Sequence, residues 1–202
     1  LTADEVPEIS GVGNYALTVR SSDGKKDAFV LYCIDSNTYS TIKGVKGYDY
    51  IKRDQIDWYC KKSAEFTRNN GGEPVPSLAF FHIALPEFNQ AASDENAQLY
   101  GIRREKACAP ALNSGLFTAI KENGDVMGIF VGHDHDDDYA VCWYDVLLAY
   151  GRFTGGPTEY NHIPNGARVI ELNEGARTFK TWIRTKAGVE QLTTYPDSFV
   201  KE

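Results

Sequence analysis

The sequence predicts an α/β (α+β) fold, a mixed β-sheet or two-sheet sandwich flanked by helices, from three features. Short apolar runs recur at residues 28–34, 78–83 and 126–131, two helix-patterned stretches fall between them, and the last third is broken into brief β-rich pieces. Each run is rich in β-branched or aromatic residues and bounded by polar ones, the pattern of a strand buried on both faces. Strand, helix, strand, helix, strand is the order of a sheet with helical cover.

The first helix is expected over residues 52–66, where Ile56, Tyr59, Cys60 and Ser63 recur at helical spacing to make one inward face. Asn69, Asn70, Gly71 and Gly72 then stop it. The second helix starts from Asn113 as its N-cap, turns Leu116, Phe117 and Ile120 inward, and leaves through a left-handed Gly124. Beyond Asp138, residues 139–144, 146–150, 167–172, 178–184 and 189–193 read as antiparallel strands joined by turns. Gly13-Asn14-Tyr15 reads as a turn before a further strand.

With 202 residues, 42% of them hydrophobic and 24% charged, the chain is long and apolar enough to bury the core of a single domain over 1–202. A formal net charge of -7 argues against bulk attraction to nucleic acid or to an anionic membrane. An anionic ligand would therefore need a local cation. No apolar run reaches the roughly 20 residues of a spanning helix. The four cysteines, Cys33, Cys60, Cys108 and Cys142, lie far apart without metal or redox spacing and read as structural thiols.

In open α/β sheets, ligands collect beyond the carboxyl ends of the strands, where loops converge on a rigid base. Those ends carry the histidines: His82 follows one buried run, His133 and His135 follow another, and Asp35-Ser36-Asn37 follows the third. Imidazoles from two strand ends, one set a His-x-His pair, form a ligand set for a transition metal. Gly132 would allow close backbone approach. The run Asp134, Asp136, Asp137 and Asp138 reads as a solvated turn, or as carboxylates orienting ligating histidines. It lacks the glycine of a calcium loop, since Tyr139 stands at that place. His162 and Glu87 read as loop residues outside the chemistry. The rival from another class is a noncatalytic binding module that uses Trp58, Trp143 and Trp182.

Phe80-Phe81-His82-Ile83-Ala84-Leu85-Pro86-Glu87 and Gly132-His133-Asp134-His135-Asp136-Asp137-Asp138-Tyr139 carry a family resemblance. Shorter stretches add to it: Cys33-Ile34-Asp35-Ser36, Gln55-Ile56-Asp57-Trp58-Tyr59, Asn113-Ser114-Gly115, Tyr150-Gly151-Arg152 and Gly166-Ala167-Arg168. Together they resemble the calcineurin-like metallophosphoesterases, especially the branch similar to purple acid phosphatases. The resemblance implies half of a four-layer fold, the carboxyl-terminal part of a phosphoester-hydrolysing domain. It implies two metal ions, of iron, zinc or manganese, with His82 and His133 ligating one and His135 the other. It also points to a periplasmic or secreted setting.

The family's Asp-x-His, Gly-Asp-x-x-Asp and Gly-Asn-His patterns do not occur in these 202 residues, and Gly13-Asn14-Tyr15 has tyrosine where the last of them needs histidine. In the family they lie upstream. This chain opens on Leu1-Thr2-Ala3 and has Met127 as its only methionine, so the expected partner is a missing amino-terminal half of the same polypeptide. The chain alone is then expected to bind metal weakly or not at all. A degenerate family member serving as a structural partner is the remaining rival.

Overall fold

The computed structural model describes residues 8–156 and 160–200; the Leu1-Thr2-Ala3 opening lies outside them. The first half builds β1 (Tyr15–Arg20), β2 (Asp27–Cys33), α1 (Arg53–Asn69), β3 (Ser77–Phe80), α2 (Pro86–Ala91) and β4 (Leu99–Tyr100). Then come α3 (Leu116–Asn123), β5 (Val126–Val131), β6 (Ala140–Trp143), β7 (Val146–Tyr150), β8 (Gly166–Leu172), β9 (Phe179–Thr185) and β10 (Val189–Tyr195). Seven strands form one mixed sheet in the order β1-β2-β3-β5-β7-β6-β4, and β10-β9-β8 form a second, antiparallel one.

Strands β2, β3, β5 and β7 are mutually parallel, with Cys33 beside Phe80, Phe80 beside Phe130 and Val131 beside Tyr150. Their carboxyl ends therefore share one edge. Alternation along these strands sorts the core into two layers. Val30, Tyr32, Ala79, Ile129, Leu148 and Tyr150 face the helices, packing with Trp58, Tyr59, Phe88, Leu116 and Ile120. Phe29, Leu78, Phe130, Leu147 and Ala149 face the smaller sheet, against Phe179 and Tyr195. A Cβ at Gly128 would lie 3.3 Å from the Phe179 ring, so glycine there lets the two sheets close. The expected mixed sheet, sandwich and helical cover are all present, as helix, sheet and sheet layers.

Several elements differ in detail from the expectation, each for a local reason. Helix α1 runs to Asn69 and buries Gln55, Trp58, Tyr59 and Ser63, while Ile56 and Cys60 are half-buried. Gln55 explains the rotation. Its Oε1 accepts the Lys52 N–H at 2.8 Å, and its Nε2 donates to Asn14 Oδ1 at 2.9 Å and to the Asp35 carbonyl at 2.7 Å. One amide thus caps the helix and ties it to the loop after β2.

Helix α3 is capped by Gly115, with φ 83, rather than by Asn113. Asn113 instead accepts the Gly115 N–H at 2.9 Å, the local side-chain bond that competes with capping. The left-handed exit at Gly124 is as expected, with φ 68. Glu87 sits on a helix, not a loop, because Pro86 starts α2 at its first turn. Residues 146–150 run parallel to β5, and only their pairing with β6 is antiparallel. Tyr144 and Asp145, with φ 44 and 59, make the tight hairpin between them.

Polar welds join the layers. Tyr32 and Tyr59 both donate to buried Asp125, at 2.9 and 2.6 Å, locking α1 to the start of β5. Arg152, whose side chain is fully buried, forks onto Asp138 through Nε at 2.7 Å and through Nη2. It also reaches the Pro164 carbonyl at 2.6 Å and Glu190 at 3.1 Å. Arg168 joins the Tyr150 and Asp138 carbonyls. Burial lowers the Arg168 guanidinium to about 10 against the support of Asp138.

Arg152→Ala removes the guanidinium that forks onto buried Asp138, which costs about 3–5 kcal/mol. Urea unfolding should show a lower midpoint at unchanged slope.

Candidate metal centre

The shared strand edge brings the predicted residues to one place. His82 stands two residues beyond β3, and its carbonyl accepts the Gly132 N–H at 3.0 Å, which aligns it with the turn beyond β5. In that turn the Asp134 N–H closes onto the Gly132 carbonyl at 3.0 Å around His133, whose φ is 77. A left-handed non-glycine residue costs on the order of 1–3 kcal/mol and marks a constrained site. The turn sets His133 Nδ1 3.2 Å from His82 Nε2, with the rings nearly perpendicular at 89°.

His135 lines the same cleft of about 250 Å³, together with His82, His133, Asp134 and Phe153. Its ring is stacked between Phe153, at 4.2 Å, and Tyr160, at 4.7 Å. Nδ1 lies 2.9 Å from the Tyr160 carbonyl, which can only accept, so Nδ1 carries the proton and Nε2 keeps its lone pair. Tyr48 packs edge-on against His133 at 4.5 Å and stacks on Tyr39. These aromatic neighbours were not legible in the sequence, since they come from loops with no periodicity.

The donor chemistry fits a metal. Two nitrogens each about 2.0–2.1 Å from one ion, at angles between right and tetrahedral, lie about 2.9–3.4 Å apart. The separation of His82 and His133 falls within that span. His82 and His133 thus fit two ligands of one ion, and His135 lines the same cleft. A Cβ at Gly132 would stand 3.4 Å from the His82 ring, so the turn does approach that ring closely, though within ordinary contact.

The acidic run is not solvated, contrary to the first reading, and does not gather as a calcium cage. Asp134, Asp136, Asp137 and Asp138 are all at most 7% exposed. Their carboxylates collect donors from elsewhere in the chain. Asp134 accepts the Tyr150 hydroxyl at 2.6 Å and the Cys108 N–H, Asp137 the Arg104 N–H at 2.8 Å, and Asp138 the Ile102 N–H at 2.6 Å. Burial pushes Asp137 up to about 6 against the N–H groups of Glu105 and Arg104. His162, expected to be incidental, pins Asp136 through its backbone N–H at 2.6 Å and through its ring. Glu87 accepts Asn113 Nδ2 at 2.7 Å.

Arg152 lines this cleft and a larger one of about 490 Å³ between the sheets, walled by Phe80, Phe130, Ala167 and Ile170. His82 stands at the border of both. The three imidazoles all line the smaller cleft. Because the Arg152 guanidinium is buried and committed to Asp138, it cannot be the local cation for an anionic ligand. The four cysteines are free thiols, and partial loss of water at its sulfur, with help from Asp134, pushes the otherwise exposed Cys108 up to about 11.

Comparison with known proteins gives relatives of the whole chain. Probable inactive purple acid phosphatase 29 of Arabidopsis thaliana is 38% identical over 199 residues, covering 87% of this chain and 50% of that protein. Probable inactive purple acid phosphatase 14 of the same plant is 33% identical over 88% of this chain and 49% of its own length. In sequence the chain is thus similar to purple acid phosphatase-like proteins. It spans about half the length of these two relatives. Phosphatase DCR2 of Saccharomyces cerevisiae is 33% identical over 90% of this chain and 33% of its own. A solved dimetal phosphatase from Danio rerio shares the fold with a TM-score of 0.53 at 12% identity, over 90% of this chain and 60% of that one. No family model matches.

In the metal-stripped chain, partial loss of water around the ring, then charge on His133 and His135, hold the His82 imidazole below its usual value, while Asp134 opposes them. The unfolded chain therefore takes up this proton first, and His82 weakens the fold as pH falls from about 6.5 through its folded value. An NMR titration should place His82 below a free imidazole, and His133→Ala should move it upward.

Proposed function

We propose that this chain supplies one rim of a dinuclear metal centre in a phosphoester hydrolase, with His82 and His133 holding one ion and His135 the other. The observation that carries the reading is the 3.2 Å approach of His82 Nε2 to His133 Nδ1 at the carboxyl ends of neighbouring parallel strands. The names of the yeast phosphatase and of the zebrafish dimetal phosphatase support it. Bound ions, of the iron, zinc or manganese class, would lower the pKa of water and neutralise charge on a phosphoryl group.

The chain's own residues would present neutral imidazole nitrogens and fix their direction. The Tyr160 carbonyl sets the His135 tautomer, Phe153 and Tyr160 stack on the His135 ring, and Tyr48 packs edge-on against His133. Three neutral ligands bring no charge to offset two cations and no carboxylate to bridge them. A further segment of the polypeptide, absent from these 202 residues, would supply those groups. The apolar walls of the larger cleft, Phe80, Phe130, Ala167 and Ile170, suit the packing of such a segment.

A second reading, a noncatalytic member on the same scaffold, is favoured by the names of the two Arabidopsis relatives, each "Probable inactive".

On the first reading, the 202-residue chain does not turn over p-nitrophenyl phosphate, whereas a polypeptide that joins it to its family's remaining segment does. In that longer protein, His133→Ala and His135→Ala should each lower kcat at least about 100-fold and deplete bound metal, read by elemental analysis. A longer protein that carries two ions yet hydrolyses no phosphoester supports the noncatalytic reading.

A further inference from the structure

His133 belongs to a second group of ligand atoms. A Cys108 sulfur, a His133 ring nitrogen and an Asp134 carboxylate oxygen all lie within 4.8 Å of one another. Cys108 is exposed, while Asp134 beneath it is buried. The loop that carries the thiol is fastened to the histidine turn, because the Cys108 N–H donates to both Asp134 oxygens, at 3.3 and 3.2 Å. Asp134 is held in turn by the Tyr150 hydroxyl at 2.6 Å. Backbone and carboxylate are thus already in place, and only the thiol has to swing.

We propose that Cys108, His133 and Asp134 form a site for one thiophilic divalent cation of the zinc class, which this chain can fill without any other segment. Charge distinguishes it from the imidazole trio. A thiolate and a carboxylate bring two negative charges, which balance one divalent ion, whereas His82, His133 and His135 bring none. The chemistry selects the ion, since thiolate favours zinc over magnesium or calcium, and imidazole tolerates it.

The reach is sufficient as well. With bonds of about 2.3 Å to sulfur and about 2.0 Å to nitrogen, sulfur and nitrogen on a tetrahedral ion stand about 3.5 Å apart. From separations of at most 4.8 Å the group needs about 1 Å of closure, within the range of one exposed side-chain rotation. A fourth position would remain for water. Because His133 serves both groups, an ion held by Cys108 competes with the pairing of His133 and His82. A soft cation would then oppose assembly of the dinuclear centre.

The test titrates cobalt(II) into the metal-stripped 202-residue chain and follows thiolate-to-cobalt charge-transfer absorption, with zinc affinity measured by calorimetry. One equivalent should bring up the band. Cys108→Ser should abolish it and weaken zinc at least about tenfold, His133→Ala should weaken zinc similarly, and His82→Ala should change neither. Circular dichroism checks that each variant is folded. Absence of the band, or its survival in folded His133→Ala at unchanged affinity, overturns the site. So does loss of zinc binding in folded His82→Ala, which would put the ion on the imidazole pair instead. None of these outcomes depends on phosphoester hydrolysis, so the site can fail while the dinuclear reading stands, and the reverse.

Discussion

The structure turns on four buried carboxylates in five residues. Placing Asp134, Asp136, Asp137 and Asp138 in a turn with almost no solvent would be prohibitive without donors, since an unpaired buried charge costs several kcal/mol. The chain meets most of that requirement by bringing backbone N–H groups from residues 102–108 and 162, the Tyr150 hydroxyl and Arg152 onto the turn, leaving Asp137 Oδ2 without a donor among the described residues. Everything near the site follows from this convergence. The loop before α3, the end of β7 and the smaller sheet are all fastened to the segment that carries His133 and His135.

The same arrangement explains how a histidine can hold left-handed backbone geometry. With Asp134 gripped on one side and the Gly132 N–H on the His82 carbonyl on the other, the turn around His133 is over-determined. Its ring is then aimed at His82 by covalent geometry rather than by the weak attraction of two imidazoles. The pairing of a rigid sheet edge with a strained turn is a common way of fixing a reactive constellation.

Much of this was legible in residue order, because strong periodicity and strand-end placement are local properties. The β5 strand at Val126–Val131, the left-handed Gly124 and the placement of His82 and His133 just beyond strand ends follow from patterns within a few residues, while the meeting of the two histidines needs β3 beside β5. What escaped was decided by distant partners. Asp136 looks like a surface residue until His162 is folded against it, and Asn113 looks like a helix cap until Gly115 and Glu87 take its amide. Gln55 could not be recognised as a hub, because Asn14, Asp35 and Asn37 reach it only through the tertiary fold. The parallel direction of β7 depends on β5 lying beside it, and no spacing within 146–150 records that.

Strand β8 ends the smaller sheet, with β9 on one flank only. A strand in that position offers its outward backbone groups to any extended peptide that approaches, including the β8 of a second molecule. Its side chains resist this weakly: only Arg168 and Glu171 are charged, and Arg168 is already occupied within the fold. At high concentration this chain therefore has a built-in route to stick to itself along that border.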